Sequence, residues 1–329
     1  MPFKVLIPED ISDAGRRYLA EHGCVYKVLD DCSVENICRE AADADAILAR
    51  TVFYGTQVFE AAKKLKVIGC YGVGVDNIDV EAATRYGIQV CNTPVANTVS
   101  VAEHAVAFIL ACARNMVLQD RACRAGDYAS RDRIRGVEVE GKVLGLIGCG
   151  RIGSLVARKC SLGLGMEVLA FDTAAPSGLP DCITLCRTPE EVYANDDFLS
   201  LHVPLLPSTR NLIDRRVMDM MKPTAYIINC ARGGIVNEKD LYEAITEGRL
   251  AGAALDVFEK EPIDPDNPLY LLDRVIVSPH NAAFTEEAAD RMGVQSAQGI
   301  VEVLNGQPPT WPVNRLARRD SPRGGAQRT

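Results

Sequence analysis

Apolar and polar positions along the chain alternate in a repeated two-part pattern. Short runs rich in branched aliphatic residues, FKVLIP, AILAR, KVIGCYG and IQVCNTP, are separated by stretches with helical spacing, SDAGRRYLAEHG, VFEAAKKL and DVEAATRYG. Strands alternating with helices of this length predict a parallel sheet covered on both faces. The first series ends near Asn97. A second starts at Lys142 with KVLGLIG, EVLAFD, DFLSLHVP, TAYIINCA, AGAALDVF and RVIVSPH, interleaved with helical stretches such as EKDLYEAITEGRL. The chain is therefore read as α/β, with two doubly wound parallel-sheet domains.

Between the two series a helix is expected to open at Ser100, whose side chain and that of Glu103 match the S-x-x-E capping pattern. Its apolar face is Val101, Ala105, Phe108 and Cys112, and Glu103 and His104 are read as structural. The charged stretch that follows, RACRAGDYASRDRIRGVEVEGK, is too polar for a core and reads as a surface excursion or a subunit contact. After His280 the helical stretch TEEAADRMGVQSAQGIVEVLNG has an apolar face that must be covered, and is expected to pack back on the first domain. The predicted limits are residues 1–98 with 285–315 for the first domain and 99–284 for the second. Residues 316–329 carry no apolar pattern and read as a disordered tail.

Composition narrows the range of partners. The net charge of −8, with no long basic stretch in the body of the chain, argues against nucleic acid and anionic membranes. The twelve cysteines are scattered, with no C-x-x-C pair and no His/Cys cluster at metal spacing. They are read as small buried residues in a reducing compartment, with room for one or two exposed thiols, and no metal is expected. The start, MPFKVLIPEDI, is charged too soon for a signal peptide, and VAFILACA is too short to span a bilayer, so a cytoplasmic protein is expected.

The stretch KVLGLIGCGRIGSLVARKC sets Gly148-x-Gly150-x-x-Gly153 directly after an apolar strand and before a helical run. The glycines allow a tight turn, a close approach of backbone to a pyrophosphate, and close packing of helix on strand. The next strand, MEVLAF, ends in Asp172, 19 residues beyond Gly153, where a carboxylate can accept both adenosine ribose hydroxyls. Its charge would repel a 2′-phosphate, and no Arg or Lys follows in TAAPSGLP, so NAD is favoured over NADP.

Ligands of such sheets bind beyond the carboxyl ends of the strands. There the second domain places Arg232 after TAYIINCA, Glu261 after AGAALDVF and His280 after RVIVS. A guanidinium can clamp a carboxylate and polarise the neighbouring carbonyl. An imidazolium can give a proton to that carbonyl oxygen, and a carboxylate on its other nitrogen orients the ring. Each residue alone is more often structural; the three together suit hydride transfer to a 2-oxo acid.

GCGRIG, LHVPLLPSTRNLI, INCARGGIVNE, GAALDVFEKEP and SPHNAAFT resemble, in order and spacing, the D-isomer-specific 2-hydroxyacid dehydrogenases, and YGVGVDNIDVEAATRYGIQVCNTP resembles their substrate domain. The resemblance implies a flavodoxin-like substrate domain and a Rossmann NAD-binding domain. It implies Arg232, Glu261 and His280 as catalytic groups, and Arg50, Val73, Gly74 and Arg232 as substrate contacts. Gly148, Gly150, Arg151, Ile152, Gly153, Asp172, His202, Pro204, Cys230, Asp256 and His280 would line NAD, with Asp256 holding the nicotinamide carboxamide. A homodimer joined through the cofactor domain is also implied. Two departures stand out: the helix-to-strand turn before Asp172 is one residue longer than in common relatives, and Cys70 replaces an Arg near the substrate loop. The alternatives are 3-phosphoglycerate oxidation, formate oxidation, and an NAD(H)-sensing, corepressor-like binding module.

Overall fold

The computed structural model describes residues 2–174 and 178–316. The described residues divide into two compact units, one built from 2–97 with 286–316, the other from 98–174 with 178–285. The arginine-rich stretch from 317 lies outside the described residues.

In the first unit the elements run β1 (Phe3–Ile7), α1 (Asp13–Glu21), β2 (Cys24–Val28), α2 (Val34–Ala41), β3 (Ala46–Ala49), α3 (Thr56–Ala61), β4 (Val67–Cys70), α4 (Val80–Arg85) and β5 (Gln89–Cys91). All pairings are parallel, in the order β2-β1-β3-β4-β5. Every residue of β3 and β4 is buried, as continuous apolar strands covered on both faces must be.

The second unit contains α5 (Thr98–Ala113), α6 (Met116–Arg124), β6 (Val143–Ile147), α7 (Arg151–Leu164), β7 (Glu167–Phe171), β8 (Ile183–Leu185), α8 (Pro189–Tyr193), β9 (Phe198–Leu201), α9 (Arg215–Met218), β10 (Tyr226–Asn229), α10 (Glu238–Thr246), β11 (Gly252–Leu255) and β12 (Val275–Val277). Its seven-stranded parallel sheet has the order β12-β11-β10-β9-β6-β7-β8. Successive strand residues feed opposite faces: Leu199, Ile227 and Ala253 join one hydrophobic cluster, Phe198, Ile228 and Ala254 the other. Strand order reverses between β6 and β9, and such a switch point opens a crevice at the carboxyl ends of these strands. The last helix, α11 (Glu286–Leu304), belongs to the first unit and packs on α1, β3, β4 and β5.

Two sequence expectations need correction. Ser100 does not cap α5, which starts at Thr98; Ser100 is buried within the first turn with its Oγ 3.0 Å from Thr285 Oγ1, and Glu103 pairs with Lys159 at 2.8 Å. The strands β2 and β8, which the apolar pattern did not announce, form sheet edges. Among the described residues no single helix is long and apolar enough to cross a membrane.

Candidate active site

The turn after β6 is shaped by its glycines. Gly148 has φ of 97°, and a Cβ on Gly153 would come within 2.2 Å of the Gly148 carbonyl oxygen, so the helix can pack this close to the turn only without a side chain there. Gly150 is the N-cap of α7, no side chain caps that helix, and nothing stands within 4 Å of where its Cβ would be. The amides of the first turn, which include those of Arg151, Ile152 and Gly153, thus have no side-chain cap, a fit for a pyrophosphate. Asp172 follows β7; its Oδ2 accepts the Cys149 N–H at 2.7 Å and its Oδ1 the Ala174 N–H at 2.8 Å. Both bonds aim the carboxylate from the turn itself, with lone pairs left for ribose hydroxyls.

His202 follows β9 and lies against this turn, its Nε2 2.9 Å from Ser200 Oγ. Burial lowers its pKa to about 4, so it is neutral at ordinary pH. Pro204 follows on an exposed segment, and Cys230 is buried at the end of β10, its thiol pushed up by burial.

Arg232 stands on the turn beyond Cys230. Asn229 organises this turn, its Oδ1 accepting the Ala231 N–H at 3.0 Å and its Nδ2 donating to the Arg232 carbonyl at 2.9 Å. A Cβ on Gly233 would lie 1.7 Å from the Phe258 carbonyl oxygen, so the Arg232 turn interlocks with the backbone that leads to Glu261. Glu261 Oε1 accepts the Phe258 N–H at 3.1 Å, and Oε2 lies 2.6 Å from His280 Nδ1. The hydrogen bond to Glu261 raises the His280 pKa, burial opposes it, the charges of Glu261 and Asp256 add to it, and Arg232 opposes it; the net shift is upward from 6.5. Burial works to raise the Glu261 pKa, but the bond and charge of His280 outweigh it and the net shift is downward. Both directions favour the charged pair.

Asp256, wholly buried, is the residue whose surroundings the sequence did not reveal. Its Oδ1 accepts the Asn281 N–H and its Oδ2 the Ala282 N–H, both at 2.9 Å, and the Ser278 hydroxyl also donates to Oδ1. The carboxylate is thus engaged in the turn that carries His280. The turn that carries His280 is thus held by a residue 24 positions upstream of it.

In the first unit, Arg50 follows β3; its Nη1 donates to the Asp10 carbonyl at 2.6 Å and its guanidinium lies 5.6 Å from the Tyr71 ring centre. The loop after β4 is held by its carbonyls. Gly72 accepts from Thr93 N–H at 2.9 Å, Val73 from Asn92 Nδ2 at 2.7 Å and Gly74 from the Cys70 thiol at 3.1 Å. In a trans peptide the N–H points opposite to the carbonyl. Pinning these carbonyls turns the amides of Val73, Gly74 and Val75 to the other side, an arrangement suited to an anion. Asn92 and Thr93 carried no signal in the sequence.

A glycine turn at the switch point of a seven-stranded parallel sheet defines a dinucleotide-binding α/β protein. The family model for the D-isomer specific 2-hydroxyacid dehydrogenase NAD binding domain matches residues 106–282, and the chain belongs to that family. It is 42% identical over 313 residues to the D-3-phosphoglycerate dehydrogenase of Archaeoglobus fulgidus, covering 94% of this chain and 59% of that protein. It is 37% identical over 328 residues to the glyoxylate reductase of Korarchaeum cryptofilum, covering 98% of each. The crystal structure of D-lactate dehydrogenase with NAD+ from Lactobacillus jensenii superposes with a TM-score of 0.80 at 30% identity, covering 95% of this chain and 100% of that one. The chain thus spans about three fifths of the archaeal phosphoglycerate dehydrogenase and the full length of the other two.

Proposed function

We propose that the protein is an NAD-dependent oxidoreductase that interconverts a D-2-hydroxy acid and its 2-oxo acid. The observation that carries this reading is the 2.6 Å pairing of His280 Nδ1 with Glu261, beside Arg232 on the rim of a dinucleotide-binding sheet. NAD(H), held by the turn of Gly148, Gly150, Arg151, Ile152 and Gly153 with Asp172 on its ribose, His202, Pro204 and Cys230 along its length and Asp256 near its carboxamide, would supply or accept the hydride.

The chain's own groups do the rest. Arg232 binds the substrate carboxylate and draws electron density from the adjacent carbonyl. His280 presents a protonated Nε2 to the carbonyl oxygen in reduction and removes the hydroxyl proton in oxidation. Glu261 holds the Nδ1 proton, fixing the ring and stabilising the imidazolium. The amides of Val73 and Gly74 and the guanidinium of Arg50 serve as further anion contacts. A substrate bearing phosphate is a second reading, favoured by the identity to the archaeal D-3-phosphoglycerate dehydrogenase.

The test is NADH oxidation against glyoxylate, hydroxypyruvate, pyruvate, phenylpyruvate and phosphohydroxypyruvate. Turnover with at least one is expected, and none would leave an NAD(H)-sensing module as the better account. We further propose a cytoplasmic homodimer joined through the second unit, with its charged 118–141 arm at the contact. Helix α6 in that arm buries none of its residues, and Tyr128 beyond it is 74% exposed. A monomer mass in solution would refute the dimer.

A further inference from the structure

Glu261 fixes the ring of His280, and a separate set of groups fixes the backbone that carries it. His280 has φ of 51°, a left-handed conformation that a residue with a Cβ adopts only where its surroundings impose it. Asp256 lies inside the turn and imposes it. Its carbonyl accepts the His280 N–H at 2.8 Å, and its carboxylate accepts the next two amides and the Ser278 hydroxyl. A serine hydroxyl has one proton to give. With that proton committed to Asp256, the 3.1 Å contact between His104 Nε2 and Ser278 Oγ has a single polarity, and His104 donates. The His104 ring is itself held edge-on to Phe108 at 4.4 Å on α5. Donors therefore point one way, from α5 through Ser278 to Asp256.

We propose that His104, Ser278 and Asp256 form a clamp that holds His280 in its left-handed conformation and so keeps Nδ1 on Glu261. Ser278 and His104 are positioning residues, and their kinetic role rests on the 2-oxo acid reading above. The charged or titratable groups facing His280 are Glu261, Asp256 and Arg232, with His104 behind Ser278 and 3.9 Å from Asp256. Releasing the turn lets His280 return to an ordinary backbone region and takes its ring off Glu261, while Arg232 and the glycine turn stay in place.

The chain has four histidines, His22, His104, His202 and His280, so the titration of each imidazole can be followed by NMR. In Ser278→Ala and in His104→Phe the His280 midpoint is expected to fall back toward 6.5, its ordinary value. Ser278→Thr keeps the hydroxyl and His104→Gln keeps a donor, and both are expected to restore the raised midpoint. With the 2-oxo acid that is turned over, kcat is expected to drop about tenfold in the two disruptive variants, with KM and NADH affinity within about twofold. An unmoved His280 midpoint in folded His104→Phe overturns the clamp, as does an equal shift in His104→Phe and His104→Gln. Should Ser278→Ala not fold, the His104 pair decides alone, since His104 lies outside the turn. Absence of 2-oxo acid turnover in the wild type would sink the dehydrogenase reading instead, and the titration would still decide the clamp.

Discussion

At their carboxyl ends the two sheets present different kinds of chemistry. The five-stranded sheet offers backbone amides, turned outward because Thr93, Asn92 and Cys70 hold the opposing carbonyls, together with Arg50. The seven-stranded sheet offers side chains, and its His280 and Glu261 titrate against each other at 2.6 Å. Amides neither gain nor lose protons near neutral pH, so the first arrangement can select an anion but cannot move a proton. The second can do both, at the cost of depending on pH. Changes in the first unit should therefore alter KM, and changes on the rim of the second should alter kcat and its pH profile.

The largest effect is expected from His280→Ala. Turnover should fall by roughly 10²-fold or more, the usual scale for a general acid, while NADH still binds by fluorescence titration. Activity equal to wild type would remove the proton-transfer role from this rim.

Glu261→Gln should move the alkaline limb of the reduction profile to lower pH. In the mechanism proposed above reduction needs the imidazolium, and Glu261 raises the pKa of His280. The same pair stabilises the fold below the ordinary imidazole pKa, and that stability is lost as pH rises through the raised value in the fold. The melting temperatures of wild type and Glu261→Gln should consequently differ more at pH 6 than at pH 9. A limb that stays where it was would separate Glu261 from the ring.

For Asp172→Ala, the preference for NADH over NADPH should weaken by about tenfold, the loss of a charge-assisted hydrogen-bond pair; an unchanged ratio would show that another group selects the cofactor. The smallest effect belongs to the first unit. Asn92→Ala removes one pin of the amide loop and should raise KM for the 2-oxo acid about fivefold, on the scale of one hydrogen bond, with kcat and the pH limb unmoved. A shift of the pH limb in this variant would break the division of labour between the sheets.

Some of this could be read in the chain itself. Alternating apolar runs and helical stretches announced two parallel-sheet domains because a strand buried on both faces is apolar at every position, a local property. The glycine turn was equally legible, since tight turns demand glycine at fixed spacing. That Arg232, Glu261 and His280 follow strand ends came from the same alternation. Two of the edge strands, β2 and β8, escaped because they are half exposed: Val25 in β2 is 47% and Leu185 in β8 is 42% exposed, which breaks the apolar run. The start of α5 was misplaced because a capping pattern inside a buried first turn looks the same in sequence as one at its end.

What only the tertiary structure decided is what holds the reactive groups. His104 meets Ser278 across 174 residues, and Asp256 meets Ser278 across 22. Hydrogen bonds of that span depend on where the strands end in space, and no periodicity along the chain encodes them. The residue types that suit proton transfer were determined by the sequence. The 2.6 Å approach of Glu261 to His280 and the left-handed turn that aims the ring were decided by packing, because each needs the backbone beyond β11 and the backbone beyond β12 to converge.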